Sequence, residues 1–302
     1  VKVTRDASGN WTLEVAEGYA GVLSTDDTGT DNTYTSATHF GFKNIYSSSR
    51  SDAFFYDFKI DIPPLEVNSV TTNSDTEIDV TFSRNIDFAT AQVSDFTLNP
   101  GSINPQSISQ QSSDVARITF ANTIASGQNT LSISAIEDAA NQTTLADTSF
   151  SFFVYDDYQS GDVVINEFLK DPPTGTAEYI ELRNTSSRYL NLQNWQLGDN
   201  NSLSTLSFSD LTLLPDSFLV VSSDTSVLNT FYGEANYLQV SLPAFNNGED
   251  QIRVFDDNST LIDSLQYNSD WGGEDVAVER RDPTVSSTFL ENWGDSPDPD
   301  FG

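Results

Sequence analysis

The sequence predicts an all-β protein built from tandem β-sandwiches. Apolar residues fall at every second position in short runs, and Asn, Asp, Ser and Gly residues separate these runs. A period of two is typical of antiparallel strands that bury one face. Three clear examples are Ile78-Val80-Phe82, Ala116-Ile118-Phe120 and Leu131-Ile133-Ala135.

Helical patterns are scarce and short. Residues 87–93 predict one short helical turn, which Asp87 would cap. A longer helix is predicted at residues 224–232, with Asp224 as its N-cap and Gly233 as its stop. Both lie between predicted strands, so they leave the all-β fold class unchanged.

Two interruptions divide the chain into three predicted domains. Pro63-Pro64 follows a strand-like run, and a sheet should end there because proline cannot donate to a ladder. Residues 156–162 are polar and lie between two apolar strands, which indicates a flexible joint. The predicted domains are residues 1–62, 63–157 and 158–302.

The first domain contains four predicted strands, at residues 1–4, 11–15, 38–46 and 54–62. So few strands bury one face only if another sheet covers it, so we expect the end of a larger sandwich. This block resembles the C-terminal half of concanavalin A-like jelly rolls in secreted bacterial proteins. The resemblance is carried by residues 5–13 and by Phe40-Gly41-Phe42, Tyr46-Ser47-Ser48-Ser49-Arg50 and Phe55-Tyr56-Asp57-Phe58.

The second domain has about seven short strand-like runs at regular spacing, as an immunoglobulin-like sandwich has. Residues 87–92, 96–98 and 136–141 resemble bacterial Ig-like modules of surface proteins. Ala140 stands where those modules usually have glycine, which affects the shape of one turn.

The third domain resembles the bacterial lamin-tail domain over nearly all of residues 162–302. This resemblance implies an Ig-like β-sandwich of extracellular binding or spacer type, without catalytic residues. Pro299-Asp300-Phe301-Gly302 replaces the usual closing Pro-Gly. The matching motifs are Val163-Val164-Ile165-Asn166-Glu167-Phe168, Glu178-Tyr179-Ile180-Glu181-Leu182-Arg183-Asn184, Leu192-Gln193-Asn194-Trp195-Gln196-Leu197, Asn247-Gly248-Glu249-Asp250, Ile262-Asp263-Ser264-Leu265-Gln266-Tyr267 and Val278-Glu279-Arg280.

Composition argues against several classes of partner. The chain has 45 Asp and Glu against 13 Lys and Arg, for a net charge of −32. Nucleic acid and anionic membranes both need clustered basic residues, so we expect neither as a partner. No run approaches the roughly 20 apolar residues that cross a bilayer. Without Cys there are no disulfides or thiolate metal sites, and without Met we expect a piece of a longer protein.

Catalytic patterns are weak. His39 is the single histidine, and we expect it to be a structural strand residue. Glu167 with Glu178 or Glu181 is the natural carboxylate pair for glycoside hydrolysis. However, Glu178 and Glu181 differ by three positions and so face opposite sides of a strand. We expect these acids to pair with Arg183 or to cap loops.

One carboxylate conflicts with its predicted strand face. Asp263 shares parity with Leu261, Leu265 and Tyr267, which places it on an apolar face unless a bulge intervenes. Because a buried anion without a partner costs several kcal/mol, Asp263 should be hydrogen-bonded inside the third domain. Arg280 and Arg183 are the candidate partners.

Calcium and sugar are the remaining candidate ligands. Asp156 and Asp157 are the best calcium candidates, since an ion there would stiffen the joint between two sandwiches. Exposed aromatic residues could form a platform on which sugar rings stack. The four tryptophans lie in strand-like motifs, where we expect core packing, and this holds for Trp195 in particular; the set is Trp11, Trp195, Trp271 and Trp293.

We therefore expect a non-catalytic segment of a large secreted or cell-surface bacterial protein, with adhesive, structural or spacer modules. The expected partners are other modules of the same protein and a surface glycan or protein ligand, and fibre or homo-oligomer assembly is an open alternative. A second reading is that these are accessory, carbohydrate-binding modules of a secreted hydrolase or nuclease whose catalytic domain lies outside this segment.

Overall fold

The computed structural model describes residues 2–5, 10–15, 24–30, 64–99, 103–140 and 143–296. The chain is all-β, as predicted, and the described residues include one α-helix of eight residues. No helix in these ranges is long and apolar enough to cross a membrane. The chain separates into two compact units, Val1–Ile62 and Pro63–Gly302. The finer division into three domains stays a prediction.

The described part of the first unit is a three-stranded antiparallel sheet in the order β1-β2-β3. Its strands are β1 Lys2–Arg5, β2 Asn10–Val15 and β3 Ser24–Thr30. Strand β3 escapes sequence-based prediction because none of its seven residues is apolar. His39 and the predicted strands at residues 38–46 and 54–62 lie outside the described residues.

The second unit begins with an N-terminal sandwich, which we define as residues 65–154. Its two antiparallel sheets have the strand orders β4-β5-β8-β7 and β10-β9-β6. The strands are β4 Val67–Ser74, β5 Glu77–Phe82, β6 Phe96–Leu98, β7 Ser107–Gln110, β8 Val115–Thr119, β9 Gly127–Ile133 and β10 Thr148–Val154.

Alternation produces the core of the N-terminal sandwich. In β5, Ile78, Val80 and Phe82 are buried between half-buried polar neighbours. Burying each such side chain stabilises the fold by about 1.5–3 kcal/mol. The predicted set in β9 is one residue too long, because Ala135 has a φ of 56° and lies beyond the strand end.

The short turn predicted at residues 87–93 forms at the start of this range and does not continue into a helix. Asp87 caps it as predicted: its Oδ1 accepts a hydrogen bond of 2.9 Å from the Ala89 backbone N–H, and its carbonyl accepts one of 3.2 Å from the Ala91 N–H. A single 3-10 turn follows at Val93–Asp95, and Gln92 precedes it. The local capping preference of Asp87 is therefore satisfied by a turn rather than by a helix.

The C-terminal sandwich, which we define as residues 163–295, contains a six-stranded sheet in the order β18-β17-β12-β11-β21-β22. A four-stranded sheet β15-β14-β19-β20 and the pair β13-β16 complete it. The elements are β11 Val163–Leu169, β12 Tyr179–Asn184, β13 Leu190–Asn191, β14 Gln196–Gly198, β15 Leu203–Thr205, β16 Thr212–Leu213, β17 Phe218–Ser222, α1 Thr225–Tyr232, β18 Tyr237–Gln239, β19 Asp250–Phe255, β20 Leu261–Tyr267, β21 Val278–Arg280 and β22 Trp293–Asp295.

Both faces of the six-stranded sheet are apolar near its centre. Ile165, Phe168 and Ile180 belong to the main core of the C-terminal sandwich. Leu169 and Tyr179 have the opposite parity and pack on the outer face against Leu228 of α1. Helix α1 begins and ends as predicted. The Asp224 Oδ1 accepts a bond from the Val227 N–H at 3.2 Å, and Gly233 forms the C-cap at a φ of 88°.

Strand β11 contains one extra residue relative to β12. Ile165 pairs with Leu182 and Glu167 pairs with Glu181, so Asn166 is a β-bulge. The bulge exchanges the faces of all residues after it. The core positions of β11 therefore change from odd numbers at Val163 and Ile165 to an even number at Phe168.

Candidate functional site

Asp263 and Arg280 join the two large sheets of the C-terminal sandwich. Beside the bulge, β21 pairs with β11 only at Glu167 and Phe168, so the ladder stops short of Ile165. Asp263 of β20 accepts the Ile165 N–H at 2.9 Å, and Arg280 Nη1 donates to the Ile165 carbonyl at 3.1 Å. The two side chains also form an ion pair at 2.8 Å. They thus replace the missing ladder bonds with side-chain bonds.

The rest of this cluster supplies further hydrogen bonds to both buried charges, and Arg280 Nε is the guanidinium nitrogen that has no hydrogen-bond partner among the described residues. Asp263 Oδ1 accepts from Ser287 Oγ at 2.5 Å and from the Ser264 N–H at 2.9 Å. Arg280 Nη2 donates to the Val285 carbonyl at 2.6 Å, and its side chain is only 3% exposed. Asp263, with a side chain 11% exposed, is therefore hydrogen-bonded within this sandwich, and its arginine partner is Arg280.

Arg183, the other candidate partner, lies elsewhere. Its Nη2 donates to Asp216 at 2.8 Å, and its guanidinium lies 5.0 Å from the centre of the Phe218 ring. The Asp216 side chain is 76% exposed, so water weakens this ion pair. Parity explains the difference, because Arg183 of β12 shares the outer face with Tyr179 and Glu181, away from the main core.

The tryptophans of the second unit lie in or against the core. Trp195 is buried and packs edge-on against Tyr158, with ring centres 5.2 Å apart. Trp293 is buried, and Trp271 lies half-buried with its ring 6.1 Å away. In the first unit Trp11 is half-buried. Within the described part of the chain, two tryptophan side chains are thus buried and two are half-buried.

The suspected carboxylates occupy two sites rather than one. Glu178 accepts the Phe245 N–H at 3.2 Å and thus caps a loop, and burial raises its pKa. Glu167 and Glu181 face each other across β11 and β12. Glu167 is buried and accepts a hydrogen bond from the Tyr179 hydroxyl. Asn166, rather than Arg183, donates to Glu181, at 2.8 Å.

Burial sets the protonation of this second site. It raises the pKa of Glu181 to about 7, against the opposing effect of the Asn166 hydrogen bond, and Glu167 and Glu279 raise it further. Burial also raises the pKa of Tyr179, which therefore acts as a hydrogen-bond donor. A protonated carboxyl beside a carboxylate could serve acid–base chemistry, but Glu167 is only 3% exposed.

The clearest pocket among the described residues lies in the N-terminal sandwich, away from these glutamates. Thr97, Ser132 and Ser149 line it in one row across β6, β9 and β10, together with Asp95 and Asp147. The pocket is a shallow groove of about 280 Å³. Its lining contains neither a histidine nor a basic side chain, and its titratable groups are the carboxylates of Asp95 and Asp147.

Asp156 lies at the connection between the two sandwiches. Its backbone N–H donates to the Tyr189 carbonyl at 2.8 Å, and the Tyr189 N–H donates to its Oδ2 at 2.9 Å. Ser126 Oγ of the N-terminal sandwich donates to its Oδ1 at 2.5 Å. Protein donors therefore reach both oxygens of Asp156, whereas Asp157 is exposed. No group of three metal-ligating side chains occurs in the described ranges.

Aromatic rings surround this connection. Phe153 stacks on Tyr155 at 5.8 Å and contacts Tyr189 at 6.4 Å between ring centres. The hydroxyls of Tyr155 and Thr212 are hydrogen-bonded at 2.8 Å. The Tyr189 ring lies directly over Gly127, where a Cβ atom would be 2.9 Å from the ring carbons. The segment predicted as a flexible joint is thus bonded and packed on both sides.

Lys170 is a buried polar residue that the sequence does not single out. It is 3% exposed, and its Nζ donates to the carbonyls of Asn247 at 2.7 Å and Asn268 at 3.2 Å. The ammonium lies 5.3 Å from the centre of the Tyr267 ring, and burial lowers its pKa. Lys170 therefore fixes two loops at one end of the C-terminal sandwich. The only sequence signal is its position directly after the apolar residues of β11.

The solved structures similar to this chain are distant. The N-terminal part of the bacterial S-layer protein SbsC is 14% identical, with a TM-score of 0.28, and the match covers 68% of this chain but 44% of that one. A DUF4876 family protein from Bacteroides thetaiotaomicron VPI-5482 is 10% identical, with a TM-score of 0.30 and coverages of 70% and 90%. Native alpha-2-macroglobulin from Escherichia coli, spanning domains MG0-NIE-MG1, is 10% identical, with a TM-score of 0.26 and coverages of 74% and 95%.

Curated proteins show no match to the chain. A family model described as Lamin Tail Domain matches residues 156–269. This range begins at Asp156 and includes β11 to β20, and the same sheet extends beyond it through β21 and β22. The match fits a structural module without a catalytic role. It supports the presence of a lamin-tail-type, Ig-like β-sandwich in this part of the chain.

Proposed function

We propose that residues 63–302 are a stiff structural spacer within a larger secreted or cell-surface bacterial protein. The connection at Asp156 and Tyr189 carries this proposal. Domains on flexible linkers move independently, because few contacts cross a typical boundary. Here one backbone–backbone bond, the Asp156 carboxylate, which bridges Ser126 and Tyr189, and packed aromatic rings link the sandwiches at one point. Such a connection passes orientation and force from one sandwich to the next.

The identity of the other modules belongs to the same proposal. Residues 63–157 are a bacterial Ig-like module, and residues 1–62 are the C-terminal part of a concanavalin A-like jelly roll. The partners of the spacer are then the other modules of the same protein, which it holds apart and presents outside the cell. The match of residues 156–269 to the lamin tail domain supports a structural role for the last module.

Charge suits this role. With 45 acidic and 13 basic residues, neighbouring copies repel one another and stay soluble. Sheet edges such as β7, with its mostly exposed polar residues, are protected from pairing with other chains by the same repulsion. A spacer needs this property because it exposes much surface and must not aggregate.

Distances between two spin labels test the stiffness. The chain contains no cysteine, so Gln110→Cys in β7 and Asn229→Cys in α1 provide two unique labelling sites at exposed positions. Double electron–electron resonance on the full chain should give one narrow distance distribution. Adding Tyr189→Ala, which removes the ring over Gly127, should broaden it.

The matched control is Phe208→Ala. This ring is 83% exposed and lies outside the connection, so its removal should leave the distribution narrow. A broad distribution in the labelled parent chain would reject the stiff spacer. A distance distribution that stays narrow after Tyr189→Ala would show that the connection between the sandwiches does not determine their orientation. That result would remove the support that this connection gives to the proposal.

A further inference from the structure

Three glutamates form a straight row across the outer face of the six-stranded sheet. Glu167 of β11 is the register partner of Glu181 on β12 and of Glu279 on β21. Directly opposite residues in antiparallel strands have Cβ atoms about 4.5–5.5 Å apart, and like charges there destabilise the sheet. The row therefore places three acidic groups where full ionisation is unfavourable.

Burial strengthens this effect. Glu167 is 3% exposed, and Glu181 and Glu279 are half-buried. Two of the hydrogen bonds to the row come from neutral donors, the Tyr179 hydroxyl and the Asn166 amide. Neutral donors hold a carboxylate without cancelling its charge. Repulsion along the row is thus poorly screened by water.

The surroundings contain both signs of charge. On the far side of β12, Val220 of β17 is the partner of Glu181, and on the far side of β21, Gly294 of β22 is the partner of Glu279. Arg183 of β12 acts on Glu181 and lowers its pKa, and Tyr179 of β12 and Tyr232 of α1 interact with Glu167. The guanidinium of Arg281 covers Gly294, the register partner of Glu279.

We propose that Glu181, with its register partner Glu167 and with Glu279 next in the row, binds a proton at neutral to mildly acidic pH and releases it at alkaline pH. The proton converts the Glu181 carboxylate into a donor and removes one of the three like charges. The ligand of this site is the proton itself, and its occupancy determines how firmly β11, β12 and β21 hold together.

The direction of the pH effect follows from linkage. The pKa of Glu181 is raised from 4.5 in its ordinary state to about 7 in the folded chain, so the folded state binds more protons between these values. The resulting stabilisation is complete below pH 4.5 and disappears as the pH rises through about 7. The C-terminal sandwich should therefore be firmer in a mildly acidic medium than in an alkaline one.

Hydrogen exchange in the full chain tests the proposal. Protection factors of the amides in β11 and β12 are compared at pH 5.5 and pH 8 for the parent chain, Glu181→Gln and Glu249→Gln. Glutamine resembles a protonated glutamic acid in shape and cannot ionise. Glu249 is exposed, so Glu249→Gln is a control with the same change in net charge.

The parent chain and Glu249→Gln should lose up to roughly 30-fold in protection between the two pH values, as one proton with the two pKa values above requires. Glu181→Gln should lose only a small fraction of that. Equal losses in the two variants would overturn the proposal, because general repulsion in an acidic protein would then explain the pH dependence.

A second measurement keeps the proposal testable if Glu181→Gln does not fold. In the parent chain, the side-chain carboxyl carbons of glutamate are followed by NMR from pH 4 to pH 9. Glu181 should titrate near pH 7. Titration of every glutamate below pH 5.5 would overturn the proposal.

Discussion

Replacing Arg280 by methionine tests the bond between the two sheets of the C-terminal sandwich. Arg280 donates to Asp263, to the Ile165 carbonyl and to the Val285 carbonyl, from a side chain that is 3% exposed. Methionine keeps the apolar stem but supplies no donor. The variant therefore leaves two carbonyls and one buried carboxylate without this partner.

The expected loss in the free energy of unfolding depends on the hydrogen bonds that Asp263 keeps in the variant. Removing one member of a buried ion pair costs about 3–5 kcal/mol when the other charge is left uncompensated. Asp263 still accepts from Ile165, Ser264 and Ser287, so its charge stays solvated by protein donors. We therefore expect a loss near the lower end, about 3 kcal/mol in the free energy of unfolding.

Urea unfolding of the full chain, followed by tryptophan fluorescence, measures this loss. Trp293 reports directly, since its ring centre lies 5.8 Å from the Arg280 guanidinium carbon. Arg281→Met is the matched control, because Arg281 is exposed and its loss should cost less than about 0.5 kcal/mol. The reasoning is refuted if Arg280→Met costs no more than Arg281→Met. A double variant with Asp263→Asn should lose less than the sum of the two single losses.

Two further variants probe other buried contacts, both by urea unfolding. Gly127→Ala places a Cβ atom 2.9 Å from the Tyr189 ring, at a residue whose φ is 103°. The free energy of unfolding should therefore fall by about 1–3 kcal/mol. An unchanged free energy of unfolding would show that the ring moves aside freely. Lys170→Met removes both bonds to the Asn247 and Asn268 carbonyls and should cost about 1–3 kcal/mol, with faster hydrogen exchange in both loops. Stability equal to that of the parent chain would mean that water replaces the ammonium at no cost.

Alternation explains why the fold class was predictable. In β5 apolar and polar residues alternate without a break, in β8 buried and half-buried positions alternate, and the buried residues match the predicted ones. The same signal is absent from β3, whose residues are all polar or Gly and which is a strand only because its backbone pairs with β2. Local patterns thus reveal strands that bury a face, but not strands held by backbone pairing alone.

The candidate site was predictable in part. The conflict between the parity of Asp263 and its charge indicates a buried partner, but choosing between Arg280 and Arg183 requires knowing which sheet face each occupies. Tyr189 gives no signal in the sequence, because its importance comes from Asp156 and Gly127, which are distant along the chain. The role of Lys170 is equally hard to predict from the sequence, since its partners are backbone carbonyls from two later loops.

Asn166 links the two polar clusters of the C-terminal sandwich through the backbone. As the extra residue of β11, it shifts Phe168 into the core and turns Glu167 towards Tyr179, while Ile165 is left for Asp263 and Arg280. Deleting this one residue would exchange the two sides of the strand beyond Ile165, so that the Glu167 carboxylate would point into the main apolar core and the Phe168 ring would lie on the outer face beside Glu181. A deletion or insertion of one residue here is therefore more harmful than most substitutions. Relatives that share this sheet should vary in the residue type at this position but keep the same number of residues in this strand.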